Sequence, residues 1–166
     1  MRKNYNKLSF VPLPVVLIGT YDENGNANLM NAAWAGIYDY EKIIISLSKH
    51  KTTDNLLLKK EFTISFATKE TEKIADYFGV VSGYKENKIA KANVHPFKAE
   101  NVDAPLFTEF PLSLECKVDS FDDGILIADV INTSVDDKYI KSDGSIDNYI
   151  LKYTTEWGNT NEQFFW

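Results

Sequence analysis

The chain is short of the residues from which much catalytic machinery is built. Among 166 residues it has one cysteine, Cys116, and two histidines, His50 and His95. A lone thiol closes no internal disulfide, and none of the three stands at ligand spacing from another, which argues against a His/Cys metal site. Cations are also in deficit. With 18 Lys and Arg against 24 Asp and Glu the net charge is −6, whereas a general nucleic-acid binder needs surplus cations to neutralise phosphates. No apolar run approaches the roughly 20 residues of a membrane span. The opening, Met1-Arg2-Lys3-Asn4-Tyr5-Asn6-Lys7, is polar and carries no signal-peptide pattern, so a cytoplasmic protein without membrane partners is the expectation. No Gly-x-Gly-x-x-Gly follows a strand-like run, leaving a Rossmann dinucleotide site unsupported. Two histidines in loop-like segments assemble no triad, and no acid, base or nucleophile is assigned a catalytic role.

What is present is a chain able to build a core. Hydrophobic residues make up 44% and aromatics 13%, which excludes a disordered chain. The length suits one domain over residues 1–166, burying roughly two thirds of the unfolded surface. There are no repeats, linkers or low-complexity segments. The pattern is mainly β with few helices. Val15 to Thr20 reads as a strand, Tyr21 to Asn26 as a turn, and the residues from 27 as the returning strand. Ile43–Leu47 and Phe62–Phe66 are further short strands. Leu112, Leu114, Cys116 and Val118 alternate with Ser113, Glu115, Lys117 and Asp119, the period of a half-buried strand, and Ile125–Ile131 returns as a more buried one after a turn at Phe121–Gly124. Thr52 or Thr53 is expected to cap a helix running to about Lys60. Thr68 is expected to cap a second, with Ile74, Ala75 and Phe78 as its apolar stripe and Gly79 as its stop. Residues 80–95 read as a loop with one helical turn. Many short strands favour a closed barrel, because closure removes exposed edges.

Three segments carry residue types suited to holding a flat, phosphorylated ligand. In Asn28-Leu29-Met30-Asn31-Ala32-Ala33-Trp34, amides can read the edge of a heterocycle, small residues admit it to the backbone and an indole can cover it. The competing reading is a strand with two surface amides and a core tryptophan. Ser46, Ser48, His50, Lys51, Thr52, Thr53 and Asn55 cluster where a strand gives way to a helix, and a helix N-terminus with hydroxyls and a lysine suits phosphate. The alternative there is a capped helix on a polar loop, with His50 merely solvated. Ser82, Gly83 and Lys88 form the third segment. Gly83 permits close backbone approach or a positive φ, and Lys88 brings a charge, unless this is an ordinary surface loop. Cys116, on the inward face of its strand, reads as a small buried hydrophobe rather than a redox thiol.

The order of these blocks resembles the flavin reductase-like, FMN-binding split-barrel family. The resemblance runs over Pro12–Thr20, Asp22, Gly25, Asn28 and Ala33-Trp34-Ala35-Gly36. It continues through Ile45–Ser48 with Lys51–Asn55, then Asp76–Gly79 with Ser82, Gly83 and Lys88, and ends in Val102–Leu106 with Leu112–Val118. It covers about residues 10–135, and residues 136–166 match nothing. It implies a split β-barrel with FMN as cofactor, its phosphate near Ser48, Lys51, Thr52 and Asn55. Within the first segment Asn28, Ala32 and Trp34 are expected to line the ring, with Met30, Asn31 and Ala33 also binding the cofactor, and the resemblance implies that Ser82, Gly83 and Lys88 close over it. The family often has Asp before that lysine, whereas this chain has Asn87. The implied activity is NAD(P)H-dependent flavin reduction with hydride delivered to flavin N5. A flavoredoxin-like electron carrier served by a redox partner protein is the alternative. The implied assembly is a homodimer, with the aromatic tail (Trp157, Phe164, Phe165, Trp166) either at the interface or folded onto its own core.

Overall fold

A computed structural model of the chain describes residues 13–147. In chain order they form β1 (Val16–Tyr21), β2 (Ala27–Ala32), β3 (Ala35–Asp39), β4 (Lys42–Ser46), α1 (Lys51–Lys59), β5 (Glu61–Phe66), α2 (Glu72–Val80), α3 (Lys88–Ala92), β6 (Pro96–Lys98), β7 (Pro105–Phe107), β8 (Leu112–Asp122) and β9 (Ile125–Val135). Seven strands share one sheet in the order β2-β1-β5-β8-β9-β4-β3, and β6 pairs with β7 separately. The two outermost strands of that sheet, β2 and β3, are consecutive in the chain and joined only by Ala33 and Trp34. Laid flat, seven strands would hold their edges roughly 29 Å apart, yet two intervening residues span about 11 Å at most. The sheet must curl until its edges meet at residues 33–34. Barrel closure therefore follows from topology.

The tight turns are made by the residues the sequence supplies for them. In the β1–β2 hairpin the Asp22 carboxylate accepts from the backbone N–H of Asn24 and Asn26 at 3.0 and 2.8 Å. The β8–β9 hairpin turns on Asp123 and Gly124, with φ of 45° and 77°, the doubly positive pair of a two-residue hairpin. Strand β1 feeds two cores, as a period of two requires. Val16 and Ile18 pack inside the barrel with Ile45, Phe62, Cys116 and Leu126, whereas Leu17 packs outside it with Leu29, Ala75, Phe78 and Phe107. Helices α2 and α3 cover that second layer, and the segments over residues 96–107 close the side of β1 and β5, where the Thr63 hydroxyl donates to the Pro105 carbonyl.

Several local expectations are corrected. His50, not Thr52 or Thr53, is the N-cap of α1, and Thr53 is its third residue, accepting from the His50 N–H. Only Leu56 of the three helical leucines is buried. Thr71 rather than Thr68 caps α2, and Gly79 lies inside that helix, because the Val81 N–H still bonds to the Tyr77 carbonyl. On β8 the alternation fails at Ser113 and Glu115, both buried. The loop over residues 99–104 covers that face, and the Glu115 carboxylate accepts from the Asn101 N–H at 2.7 Å and the Asn132 amide at 2.8 Å. Strand β9 is no more buried than β8, since Ile125 and Ile131 are exposed. The helical turn expected within residues 80–95 is α3, and the aromatic tail lies outside the described residues. Among the described residues no helix is long and apolar enough to cross a membrane, and no cluster of His, Cys, Asp or Glu could hold a metal.

Candidate functional site

Where the barrel edges meet, the surface opens into a cleft of about 180 Å³. One wall is the end of β2 and the seam, with Met30, Asn31, Ala32, Ala33 and Trp34; the other is the end of β4 and the approach to α1, with Ser46, Leu47, Ser48 and His50. Two segments on either side of the β3–β4 hairpin are thus brought face to face. Trp34 is 54% exposed, so the core-tryptophan reading is overturned. Ala32 and Ala33 are buried, Ala32 as part of the barrel core. Asn31 is not a surface amide either. Its Nδ2 donates to the Ala75 carbonyl of α2 at 2.8 Å, which fixes which end of the amide is nitrogen, and its Oδ1 is buried without a partner among the described residues.

Beyond His50 the chemistry changes. Lys51 and Thr52 open α1, whose first N–H groups have no intrahelical acceptor and whose dipole favours an anion. Thr53 is committed to the helix start: its hydroxyl accepts from the His50 N–H at 2.9 Å and donates to the His50 carbonyl at 2.7 Å. Asn55 anchors the helix to β1 through a 2.9 Å bond from its amide to the Thr20 hydroxyl. Asn28 reaches across from β2, donating from Nδ2 to the Thr52 hydroxyl at 2.8 Å. Asn28 therefore sits at the helix end rather than along the cleft.

Ser82, Gly83 and Lys88 complete this region from the other side. A β-carbon on Gly83 would lie 2.6 Å from Asn28 Oδ1, 3.5 Å from Lys51 Cδ and 3.6 Å from Lys88 Cε, so three polar side chains converge on one glycine. No positive φ is involved; glycine is needed here for close approach. Tyr84 ties the segment to α1 by donating to Asp54 at 2.5 Å. Asn87, standing where an acid was expected, caps α3 by accepting from the Ala90 N–H at 3.1 Å, a task either side chain performs.

The electrostatics are those of cations held together. Lys51 pairs with Asp22 at 3.2 Å. Burial pushes the Asp22 carboxyl up, but hydrogen bonds from Asn26, Lys51 and Asn24 outweigh it and leave its pKa below the ordinary value. Lys88 is only 5% exposed and has no carboxylate partner among the described residues. Its ammonium lies 3.4 Å from the Phe78 carbonyl and 5.3 Å from the Phe78 ring centre. Burial first, and the Lys51 charge second, lower its pKa from 10.5 to about 8. Burial and the Lys88 charge likewise hold His50 below the usual histidine value. From sequence alone Thr20 and Phe78 had no place in the site and the Asn28–Thr52 contact was not visible, because each depends on tertiary pairing. Asp22 stood in the matched pattern without a stated role.

Residues 8–149 match the model of the flavin reductase like domain. The flavoredoxin of Desulfovibrio vulgaris (Miyazaki F) superposes with a TM-score of 0.87 at 31% identity, covering 99% of this chain and 98% of that one. A putative flavin reductase with a split barrel domain from Shewanella frigidimarina gives a TM-score of 0.74 at 18% identity, over 92% and 86% of the two chains. An FMN-binding domain of a flavin reductases-like enzyme from Shewanella baltica gives 0.75 at 21% identity, over 90% and 89%. The curled seven-stranded sheet is the split barrel of these proteins.

Proposed function

The chain belongs to the flavin reductase-like family, and from that premise we propose that it is an FMN-dependent oxidoreductase taking electrons from NAD(P)H. One FMN binds per chain. Lys51, Thr52, Lys88 and the N-terminus of α1 hold its phosphate, and the cleft between Met30–Trp34 and Ser46–His50 takes its ring. The observation that carries this reading is the Lys88 ammonium, 5% exposed beside Lys51 at an open helix end. A buried, depressed cation is costly unless an anion joins it, and a phosphate at this point supplies the missing charge. The residues therefore fit the cofactor.

When bound, FMN supplies a flavin N5 able to accept a nicotinamide hydride, the electron chemistry that no protein side chain here offers. The chain's own residues bind and orient. Trp34 lines the cleft with its indole half exposed, and Lys88 and Lys51 hold the charged end. Cys116 takes no part, because it is fully buried in the barrel and burial, then the Glu115 charge, push its thiol far up. The cleft is smaller than the roughly 300–1,000 Å³ common for ligand sites, so one chain leaves part of a flavin uncovered. An apolar groove of about 430 Å³ lies beside it, floored by Val16, Ile64 and Val130 and edged by Ile37 and Tyr40. A second copy seated there would make the homodimer that the family resemblance implies.

The 31% identity to a flavoredoxin favours a second reading, an electron carrier reduced by another redox protein. Colour and stopped-flow kinetics separate the cases. The purified protein should be yellow or become so with FMN, and NADH or NADPH should bleach it at rates fast enough for turnover. A yellow protein that neither nucleotide reduces is the carrier. A colourless protein that does not take up FMN is neither.

A further inference from the structure

We propose that Asn28 is a positioning residue for the phosphate end of the site: its amide fixes the Thr52 hydroxyl as a hydrogen-bond donor to the bound phosphate. The inference rests on the FMN reading above and assigns Asn28 a task different from lining the ring.

The argument is one of hydrogen-bond polarity. A hydroxyl has one proton to give and lone pairs to accept with. Among the described residues, three of the six buried threonines spend that proton on a backbone carbonyl. Thr53 gives it to His50 at 2.7 Å, Thr63 to Pro105 at 2.5 Å and Thr71 to Thr68 at 3.2 Å. Thr52 differs. Its oxygen accepts from Asn28 Nδ2 at 2.8 Å, and among the described residues its own proton meets no acceptor. The orientation of the Asn28 amide is set from both sides. Its nitrogen lies between two hydroxyl oxygens, Thr52 at 2.8 Å and Thr20 at 3.5 Å, and the Thr20 oxygen already accepts from Asn55. Its oxygen lies against Gly83, where a β-carbon would be 2.6 Å away, a place for a bare acceptor rather than for two more hydrogens. Occupied as an acceptor, Thr52 is left as a donor.

That donor stands at the second position of α1, beside N–H groups the helix leaves unpaired and next to Lys51. Thr20 is an acceptor in the same network but has no exposed surface, so it supports Asn28 and reaches no ligand. Donor hydroxyl, unpaired N–H groups and two ammonium groups form a set that suits an oxyanion and offers little to a neutral hydroxymethyl group. The Asn28–Thr52 pair should therefore discriminate FMN from riboflavin.

The test is a titration of the full chain with FMN and with riboflavin, by quenching of flavin fluorescence, for wild type, Asn28→Ala, Thr52→Val, the double variant and Thr52→Ser. Thr52→Val and Asn28→Ala should each weaken FMN about tenfold and leave riboflavin within about twofold, since a hydrogen bond to a charged group is at stake. The double variant should be no weaker than the worse single one, because Asn28 acts through Thr52. Thr52→Ser, keeping the hydroxyl, should stay near wild type. Equal losses for both flavins in Asn28→Ala, or additive losses in the double variant, overturn the inference. If Asn28→Ala does not fold, Thr52→Val decides, and full FMN affinity in that variant overturns it. Failure of the FMN reading looks different: wild type itself would bind FMN no tighter than riboflavin, and both proposals would fall together.

Discussion

At one end of the candidate site Lys88, Thr52, Asn28 and Asn55 are each at most 5% exposed, and they are locked to one another or to the neighbouring strands and helices. At the other end Trp34 is 54% exposed and the walls mix alanine, methionine and leucine with Asn31, Ser46, Ser48 and His50. The first end carries two lysines and a helix terminus; the second carries no charge apart from whatever His50 acquires. Burying Lys88 without a carboxylate partner among the described residues destabilises the free protein, so the charged end is organised in advance at a cost that ligand binding relieves. The open end costs little and selects little. Affinity for the phosphate and tolerance toward the ring should therefore be separable by substitution.

The largest expected effect breaks the charged end outright. Lys51→Ala with Thr52→Ala should lower FMN affinity by about two decades or more, at roughly 1.5–3 kcal/mol for each charge-assisted bond, while riboflavin changes little. Titration with both flavins checks this, and equal losses would place the phosphate elsewhere. Lys88→Met sharpens the comparison, because it should weaken FMN yet stabilise the free protein. The difference between a pKa of 10.5 and one of about 8 corresponds to about 3 kcal/mol of burial cost at neutral pH, which methionine avoids while keeping the stem over Phe78. The sign with pH follows from which state binds more protons. Between about 8 and 10.5 the unfolded chain keeps the lysine proton that the folded one has lost, so wild-type stability from this group rises across that window. Denaturant melts of flavin-free protein over that range should show the rise in wild type and its loss in Lys88→Met.

Smaller effects are expected at the open end. Trp34→Ala should weaken FMN and riboflavin alike, by about 0.5–1.5 kcal/mol for lost aromatic contact, with little change in melting temperature. Unequal losses would mean that the indole also serves the phosphate. Ala32→Leu is a poorer probe than its sequence position suggests. Ala32 belongs to the barrel core, and overpacking there should cost about 1–3 kcal/mol of stability besides blocking the ring. The smallest effect on chemistry should come from Cys116→Ser. It should lower stability modestly by burying a hydroxyl, and leave NAD(P)H-driven reduction near wild type in stopped-flow traces.

The split barrel itself was implied by the family resemblance, whereas the strands were legible because their signals are local, such as the Asp-Gly turn at 123–124 and β-branched runs like Ile43–Ile45. The helix starts were less so. Thr52, Thr53 and Thr68 are all plausible caps by residue type, and tertiary pairing chose His50 and Thr71 instead. The two walls of the cleft were named from sequence as separate segments, since residue type alone suggested an amide-rich strand and a polar strand end. What could not be read was the division of labour. That Asn28 belongs with Thr52 rather than with Trp34 and that Asn31 is tied to α2 depend on contacts 24 and 44 residues apart. The burial of Lys88 depends on packing against Phe78 and the Lys51 segment. To all of these periodicity is blind.

Proton uptake on ligand binding tests the central claim most directly. Burial and the Lys51 charge lower the Lys88 pKa to about 8, so the free protein gives up this proton at mildly alkaline pH, and a phosphate dianion placed beside it should draw the proton back on. Isothermal calorimetry at pH values from about 7.5 to 9.5, in two buffers of different ionisation enthalpy, should record net proton uptake with FMN and none with riboflavin. No uptake with FMN, or the same uptake with both flavins, would contradict the assignment of the buried lysine to the phosphate.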